Sequence, residues 1–469
     1  MKQGLLPYGV EVVEEAGAVT ARGGLALAVE AMRALGVSQA IKHNVGIRRR
    51  ARGSNEVAMI EALIMLLAAG GECVDDMAVL RADQGLCRLL DRALPSPDAV
   101  RRFLYEFHDE ELIERARQER APGQVAYIPG ENAGLRGLAQ VNVQLLARVA
   151  AQGKSRKATL DHDATIQESH KRQSLAHYKG GRGYQPSVIY WAEQDLVVAD
   201  EYRDGNVPAG MENLRLIERG FASLPATVTE YAFRSDSACY DQQVLKWLAN
   251  PKRSGGPQGP IEFTISADMT EELRGKCAAM GERRWSLVED RVEESVHWTD
   301  IEFTPGDWPK DAQPLRYVAV RIRKKQGYLF AAGYDTKYLA VVSNRWELSG
   351  EKLLRWHWAK AGTIEHVHDV TKNELGAGVP PCGRFGANAA WYRLSLLAYN
   401  ILSAMKSLVL PAALSAARPK RLRFALFTIA GRLTSHAGKL VLQIGEAAER
   451  LAGLVEARRR LATLAAASP

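Results

Sequence analysis

At 469 residues the chain is too long for one compact core, and 62 Lys and Arg against 54 Asp and Glu give a net charge of +8 that suits a polyanionic partner or an ordinary basic enzyme. The five cysteines, Cys73, Cys87, Cys239, Cys277 and Cys382, are scattered without CxxC spacing, which argues against a disulfide framework or a zinc cluster and for a reducing compartment. The N-terminus lacks a signal-like apolar stretch and the most apolar run, 60–69, is too short to span a membrane, so a soluble cytoplasmic protein with no membrane partner is expected.

Residues 1–150 read as a helical N-terminal region. Apolar residues recur at helical spacing over 24–35 and 55–69, and Pro95-Ser-Pro-Asp opens an amphipathic helix with a capping signal. Between the first two lies Arg48-Arg-Arg-Ala-Arg52. That run is either a solvated loop or a phosphate-contacting segment, with Arg48, Arg49, Arg50 and Arg52 as the contacts. Arg101 and Arg102, on the helix after Pro95, would belong to one half of a helix-turn-helix.

From 151 to 250 the pattern becomes strand-rich. Lys157-Ala-Thr-Leu-Asp-His-Asp-Ala-Thr165 alternates apolar and polar residues, which puts Asp161 and Asp163 on one face of a strand. Two further strands follow at 186–191 and 196–200, joined by the turn Glu193-Gln-Asp195; then come a helix over 211–223, a strand over 227–235, Asp236, and a helix from 240. Three antiparallel strands, a helix and a fourth strand are the order of an RNase H-like sheet, in which strand four runs parallel to strand one. That order brings Asp236 beside Asp163.

The Pro- and Gly-rich stretch 251–260 reads as a boundary, and 251–345 as a β-rich module with strands near 261–266, 296–303, 317–324 and 339–343. Arg321-Ile-Arg-Lys-Lys-Gln-Gly-Tyr328 resembles a hairpin tip carrying four basic residues, Lys324 and Lys325 among them. Trp285, Trp298 and Trp308 are either core or platforms for an unpaired base. From 346 to 469 helices return: 347–360, then Thr363-Ile-Glu-His-Val-His-Asp-Val-Thr-Lys372, which places Glu365, Asp369 and Lys372 within a turn or two of each other, then 394–408 and a basic helical tail. Three carboxylates from separate chain positions suit two Mg²⁺ (or Mn²⁺) ions, which support in-line attack on a phosphodiester without a covalent residue.

Thr20-Ala-Arg-Gly-Gly-Leu25, Leu66-Leu-Ala-Ala-Gly-Gly-Glu-Cys-Val-Asp-Asp76, Leu80-Arg-Ala-Asp83, Pro95-Ser-Pro, Asp161-His-Asp-Ala-Thr165, Tyr178-Lys-Gly-Gly-Arg-Gly-Tyr-Gln-Pro186, Arg234-Ser-Asp-Ser237 and the Glu365 helix follow one another in this order. In this the chain resembles DDE transposases of the insertion-sequence 1380 group, from about residue 20 past 400. The resemblance implies an α+β, RNase H-like mixed sheet flanked by helices and interrupted by a β-rich insertion. It implies an enzyme that cuts double-stranded DNA at the terminal inverted repeats of a bacterial mobile element and joins the 3′ ends to target DNA, acting as a homodimer. Asp163, in Asp-x-Thr, matches the first metal ligand, with Asp161 as the alternative. Asp236 matches the second ligand, Glu365 the third, and Lys372 the basic residue of the wider superfamily's closing signature. Trp358 and Ala361 stand where that signature has Tyr and Arg, leaving Lys360 or Arg355 to grip phosphate. Trp298 or Trp308 would stack on a base at the cleaved end. A nuclease of the same fold and a DNA-binding derivative without catalysis are the alternatives.

Overall fold

The computed structural model describes residues 17–47, 55–153, 155–306, 308–310, 312–325, 327–331, 333–445 and 448–466; Arg48, Arg49, Arg50 and Arg52 lie outside them. The N-terminal region is helical as its periodicity predicts. Helices α1 (Ala26–Ala34) and α2 (Val37–Asn44) precede α3 (Glu56–Ala69). The Asn55 side chain accepts from the Ala58 N–H to cap α3, and Gly70, at φ +91°, ends it in a left-handed conformation that suits glycine. Because α3 is apolar on nearly every side, it is buried from Met59 to Ala68, with Glu61 held in the core by Arg92 at 2.7 Å. Helix α4 (Pro97–Tyr105) starts with the expected cap, the Ser96 hydroxyl accepting from the Ala99 N–H, and α5 (Ala133–Ala150) is capped by Asn132. A Cβ on Gly137 of α5 would sit 2.2 Å from the Asn44 carbonyl oxygen, so α2 and α5 meet backbone to backbone.

One nine-stranded sheet runs through the rest: β1 (Lys157–Ala164), β2 (Ser187–Trp191), β3 (Leu196–Glu201), β4 (Glu230–Ser235), β5 (Ile261–Ala267), β6 (Ser286–Asp290), β7 (Glu294–Ile301), β8 (Arg316–Lys324) and β9 (Thr336–Ser343). Its spatial order is β6-β7-β8-β9-β5-β4-β1-β2-β3. Only the β1–β4 and β4–β5 pairs are parallel. The five strands at the other end of the sheet from β6 therefore follow the order 3-2-1-4-5, the RNase H-like arrangement, with β3 at the edge. Helices α6 (Asn213–Ala222) and α7 (Gln242–Ala249) flank β4 in sequence; α8 (Gly350–Trp358), α9 (Ile364–Glu374), α10 (Phe385–Leu408) and α11 (Ala448–Ala466) follow β9. Helix α10 is buried from Gly386 to Met405 and packs against α3, α4, α5 and β3, tying the N-terminal helices to the sheet in one continuous core.

The sheet departs from the expected module at 251–345. Strand β5 lies inside that range, yet it is the fifth strand of the catalytic-type core, and β6 to β9 extend the same sheet. Residues 251–260 are no spacer: they wind around buried Arg253, whose guanidinium donates to the carbonyls of Trp247 (2.9 Å), Leu248 (3.0 Å) and Gly259 (2.9 Å). A Pro- and Gly-rich sequence signals a turn, and a turn does not say where the next strand docks. The expected hairpin tip at Arg321 is still strand through Lys324, because β8 pairs with β7 as far as Lys324 opposite Glu294.

Candidate active site

The site forms at the C-terminal ends of the parallel pair β1 and β4. Their register aligns His162 with Ser235, so the next residues, Asp163 and Asp236, emerge side by side. Asp236 caps the one-turn helix Ser237–Cys239, its carboxylate accepting from the Ala238 N–H at 3.1 Å. Burial raises the Asp236 carboxyl above its ordinary range; the negative charge of Asp163 adds to that rise, and Lys360 opposes it. Two carboxylates thus share a half-buried pocket, which is costly unless a cation stands between them.

In this structure that cation is Lys360. Its Nζ lies 3.5 Å from Asp163 Oδ1, and the residue is 9% exposed. On the other Asp163 oxygen stands His368, with Nε2 at 3.6 Å. Burial, with Lys372 and Lys360 adding, pushes the His368 imidazole down to about 3, so it is neutral at pH 7. Neither of its buried ring nitrogens makes a hydrogen bond with a described residue. Lys372 is half-buried on α9 one turn further on; burial and then Lys179 lower it, while Glu168 and Asp163 pull it up.

Asp161 is spent on structure. Its carboxylate is fully buried and takes Arg234 in a bidentate pair, Nε at 2.6 Å and Nη2 at 2.8 Å, plus the Thr363 hydroxyl. Arg234 also donates to the Trp356 carbonyl at 2.7 Å. This knot fastens the start of α9 to β1, and it leaves Asp163 as the member of the pair with free oxygen lone pairs. His162, between them on the opposite face, is equally committed: Nδ1 is 3.0 Å from Ser235 Oγ and Nε2 is 2.8 Å from Ser187 Oγ.

The structure brings Asp163, Asp236 and Lys372 toward one place and leaves Glu365 exposed in the first turn of α9, one turn before His368 on the same face. Among the described residues no three His, Cys, Asp or Glu side chains stand together as a closed metal site. The donor set nonetheless fits a hard divalent cation: two carboxylates without an arginine, an orphaned neutral imidazole, and an acidic side chain free to turn in. Of the two substitutes for the missing phosphate-gripping arginine, Lys360 is at the site. Arg355 is exposed and paired with Glu351 at 2.8 Å. Periodicity along α9 carried the signal for His368, which shares the Glu365 face, but a lone histidine on a helix looks like core until β1 is placed beneath it.

The expected DNA contacts are dispersed. Arg101 pairs with Asp98 (2.6 Å) and Asp75 (2.9 Å), and Arg102 donates to the Asp98 carbonyl. Lys324 lies 3.3 Å from Glu294 and Lys325 lies 2.9 Å from Asp290. Trp298 packs its ring against Gly350, where an added Cβ would be 2.1 Å away, and Trp308 is 8% exposed, so both rings are engaged in packing in this structure.

A family model described as "Transposase DDE domain group 1" matches residues 7–466, and the chain belongs to this family of metal-dependent DDE transposases. Among solved structures it is similar to the cryo-EM structure of a piggyBac transposase synaptic complex with hairpin DNA, at 10% sequence identity over 85% of this chain and 76% of that one, with a TM-score of 0.46. A search of curated proteins finds no match. Among the described residues no single helix is long and apolar enough to cross a membrane.

Proposed function

We propose that this transposase is of the insertion-sequence 1380 type, binding the terminal inverted repeats of a bacterial element as a homodimer, cutting at their ends and joining them to target DNA. The observation that carries the chemistry is the alignment of Asp163 with Asp236 at the ends of β1 and β4, with Lys360 as their nearest counter-charge among the described residues. Asp163, Asp236 and Glu365 would hold Mg²⁺ or Mn²⁺, with His368 beside Asp163. A bound divalent ion supplies Lewis-acid stabilisation of the charge that develops on the phosphate oxygens.

The chain's own groups do the rest. The Lys360 and Lys372 ammonium groups draw the DNA phosphate toward the carboxylates, and the Asp161–Arg234–Thr363 knot holds α9 at a fixed distance from β1. In cleavage, water attacks phosphorus and the bond to the 3′ oxygen breaks, leaving a 3′ hydroxyl and a 5′ phosphate. In joining, that hydroxyl attacks a target phosphodiester, one P–O bond forms as another breaks, and no energy source is needed.

The test is incubation of a labelled duplex carrying the element's flanking repeat with the protein and Mg²⁺ or Mn²⁺. Cleavage at the repeat boundary followed by joined product supports the reading. Cutting without joining makes the protein a nuclease, and binding without cutting by either metal makes it a DNA-binding derivative.

A further inference from the structure

Four histidines are buried among the described residues, and three of them are bonded through the ring. His162 lies between the hydroxyls of Ser235 (3.0 Å) and Ser187 (2.8 Å), and His357 between those of Thr264 and Ser266, both at 3.0 Å. His177 Nδ1 accepts from the Lys179 N–H at 3.3 Å. His368, 6% exposed, makes no hydrogen bond through either nitrogen with a described residue. A chain that satisfies the other imidazoles it buries has left this one open, and a buried polar group without a partner is costly to keep.

Its surroundings show what is missing. The Thr363 hydroxyl donates to Asp161 and pins the start of α9 to β1. The helix then brings His368 Nε2 to 3.6 Å from Asp163 Oδ2, while Glu365, one turn earlier, stays exposed. Lys360 stands at the other oxygen, Oδ1, at 3.5 Å, so Oδ2 and Nε2 are left facing one another. The Thr371 hydroxyl, on the same helix, is bonded to the Val367 carbonyl at 2.7 Å.

A gap of 3.6 Å is too long for a hydrogen bond. Two donors that each lie about 2.1 Å from one cation stand roughly 3.0–4.2 Å apart, depending on the angle between them. The spacing of Oδ2 and Nε2 falls inside that range. Mixed oxygen and nitrogen donors also narrow the choice of ion. Mg²⁺ takes oxygen donors and keeps its water in preference to nitrogen, whereas imidazole suits first-row transition metals, and Mn²⁺ accepts both kinds of donor. An imidazole nitrogen adds a bond without adding negative charge to a pocket that already holds two carboxylates.

We propose that His368 Nε2 is a direct ligand of the divalent ion held by Asp163, and that this nitrogen tilts the centre toward Mn²⁺ over Mg²⁺. The side chain by which α9 closes the site on β1 is then His368, whether or not Glu365 also turns in. This assignment rests on the metal-dependent reading for the presence of the ion, and binding and cleavage are measured separately so that either can fail alone.

The test uses the full chain with Mn²⁺ alone as the probe. Binding is titrated from the electron paramagnetic resonance of the free ion, Mg²⁺ is measured by competition, and directly bound nitrogen is read from the modulation of the electron spin echo. Nicking of a plasmid with either metal is followed in parallel. The expected result is imidazole modulation on the bound Mn²⁺ that is lost in His368→Gln and kept in His366→Gln, whose histidine is exposed on the same helix. Mn²⁺ affinity should fall at least about tenfold in His368→Gln, and Mg²⁺ affinity less. Where His368→Gln fails to fold, wild-type protein grown with isotopically labelled histidine decides: a modulation that changes on labelling puts a histidine on the ion, and loss of that ion in Asp163→Asn puts it at Asp163. Mn²⁺ bound without imidazole modulation, or with modulation that survives in His368→Gln, overturns the assignment whatever the nicking result, as does a failure to bind Mn²⁺ at all. A His368-dependent signal in a protein that nicks with neither metal upholds the ligand and sinks the cleavage reading instead.

Discussion

Two acidic clusters sit on the same face of the sheet, two strands apart. Asp163 on β1 is opposite Val188 on β2, and Val188 is opposite Asp200 on β3. At Asp200 both carboxylate oxygens are held by one guanidinium: Arg393 donates from Nε at 2.9 Å and from Nη2 at 3.1 Å, and the other contacts of Arg393 go to Glu131 at 2.7 Å and the Leu135 carbonyl at 2.7 Å. Burial alone would raise the Glu131 carboxyl, but Arg393 and Arg219 outweigh it and bring it down to about 2. At Asp163 a lysine stands off at 3.5 Å, a histidine at 3.6 Å makes no hydrogen bond with a described residue, and the neighbouring Asp236 is pushed up rather than down. A saturated ion network holds the molecule together; an under-satisfied one is kept open for something that arrives later.

The largest test of this contrast is to neutralise each cluster. Asp163→Asn and Asp236→Asn are expected to lower metal-dependent cleavage by about a thousandfold, since several kcal/mol of transition-state stabilisation is lost. Their stability should not fall. Asp236 has a folded-state value above its unfolded one, so its contribution is present below the unfolded value and is lost as pH rises; at neutral pH its charge is a burden that Asn removes. A drop in the urea midpoint of Asp236→Asn would break the comparison. Arg393→Met should do the reverse, costing about 3–5 kcal/mol by stranding Asp200 and Glu131 in the core, read as a lower urea midpoint.

The sequence carried this contrast only in part. Alternation in Lys157-Ala-Thr-Leu-Asp-His-Asp made β1 and its two same-face carboxylates legible, and caps at Asn55 and Ser96 fixed the starts of α3 and α4. Which aspartate is committed to Arg234 was not legible, because it depends on a partner 73 residues away. The edge strand β6 and the helix Glu271–Ala279 were missed for a local reason: both are short and largely polar, so neither shows a clear apolar period. The hairpin of Gly431–His436 with Lys439–Gln443 is exposed on most of its residues and gives no stronger signal. Strand β5 was legible as a strand, but its parallel docking on β4 is a tertiary fact.

A smaller effect separates the histidines of the fold from the ionic clusters. His357 is buried, with Nδ1 3.0 Å from Thr264 Oγ1 and Nε2 3.0 Å from Ser266 Oγ. Burial, with Lys360 and Arg234 adding, brings it down to about 3. Its folded value is below its unfolded one, so the unfolded chain binds the extra proton, and stability is present above about pH 6.5 and lost as pH falls toward 3. At pH 5 the loss is about 2 kcal/mol for this residue. Asp204, which burial raises to about 6, works in the opposite direction over its own window, gaining stability as pH falls from about 6 to its unfolded value. Urea titrations at pH 7.5 and pH 5 should show a decline that is shallower in His357→Gln; an equal decline in both would remove His357 from the account.

The smallest expected effect lies at the far edge of the sheet, where Lys325 is 2.9 Å from Asp290, itself 62% exposed at the side chain. An exposed pair of this kind contributes about 0–1 kcal/mol, so Lys325→Gln should leave the urea midpoint where it is. The same change discriminates on DNA. If the β7–β8 end of the sheet lies along a DNA backbone, the lysine exchanges Asp290 for a phosphate on binding. The slope of log affinity against log salt then falls by about one in the variant, uniformly across sequences. A slope that does not change would confine the DNA-facing charge to the Lys360 and Lys372 side of the molecule, where the under-satisfied cluster already stands.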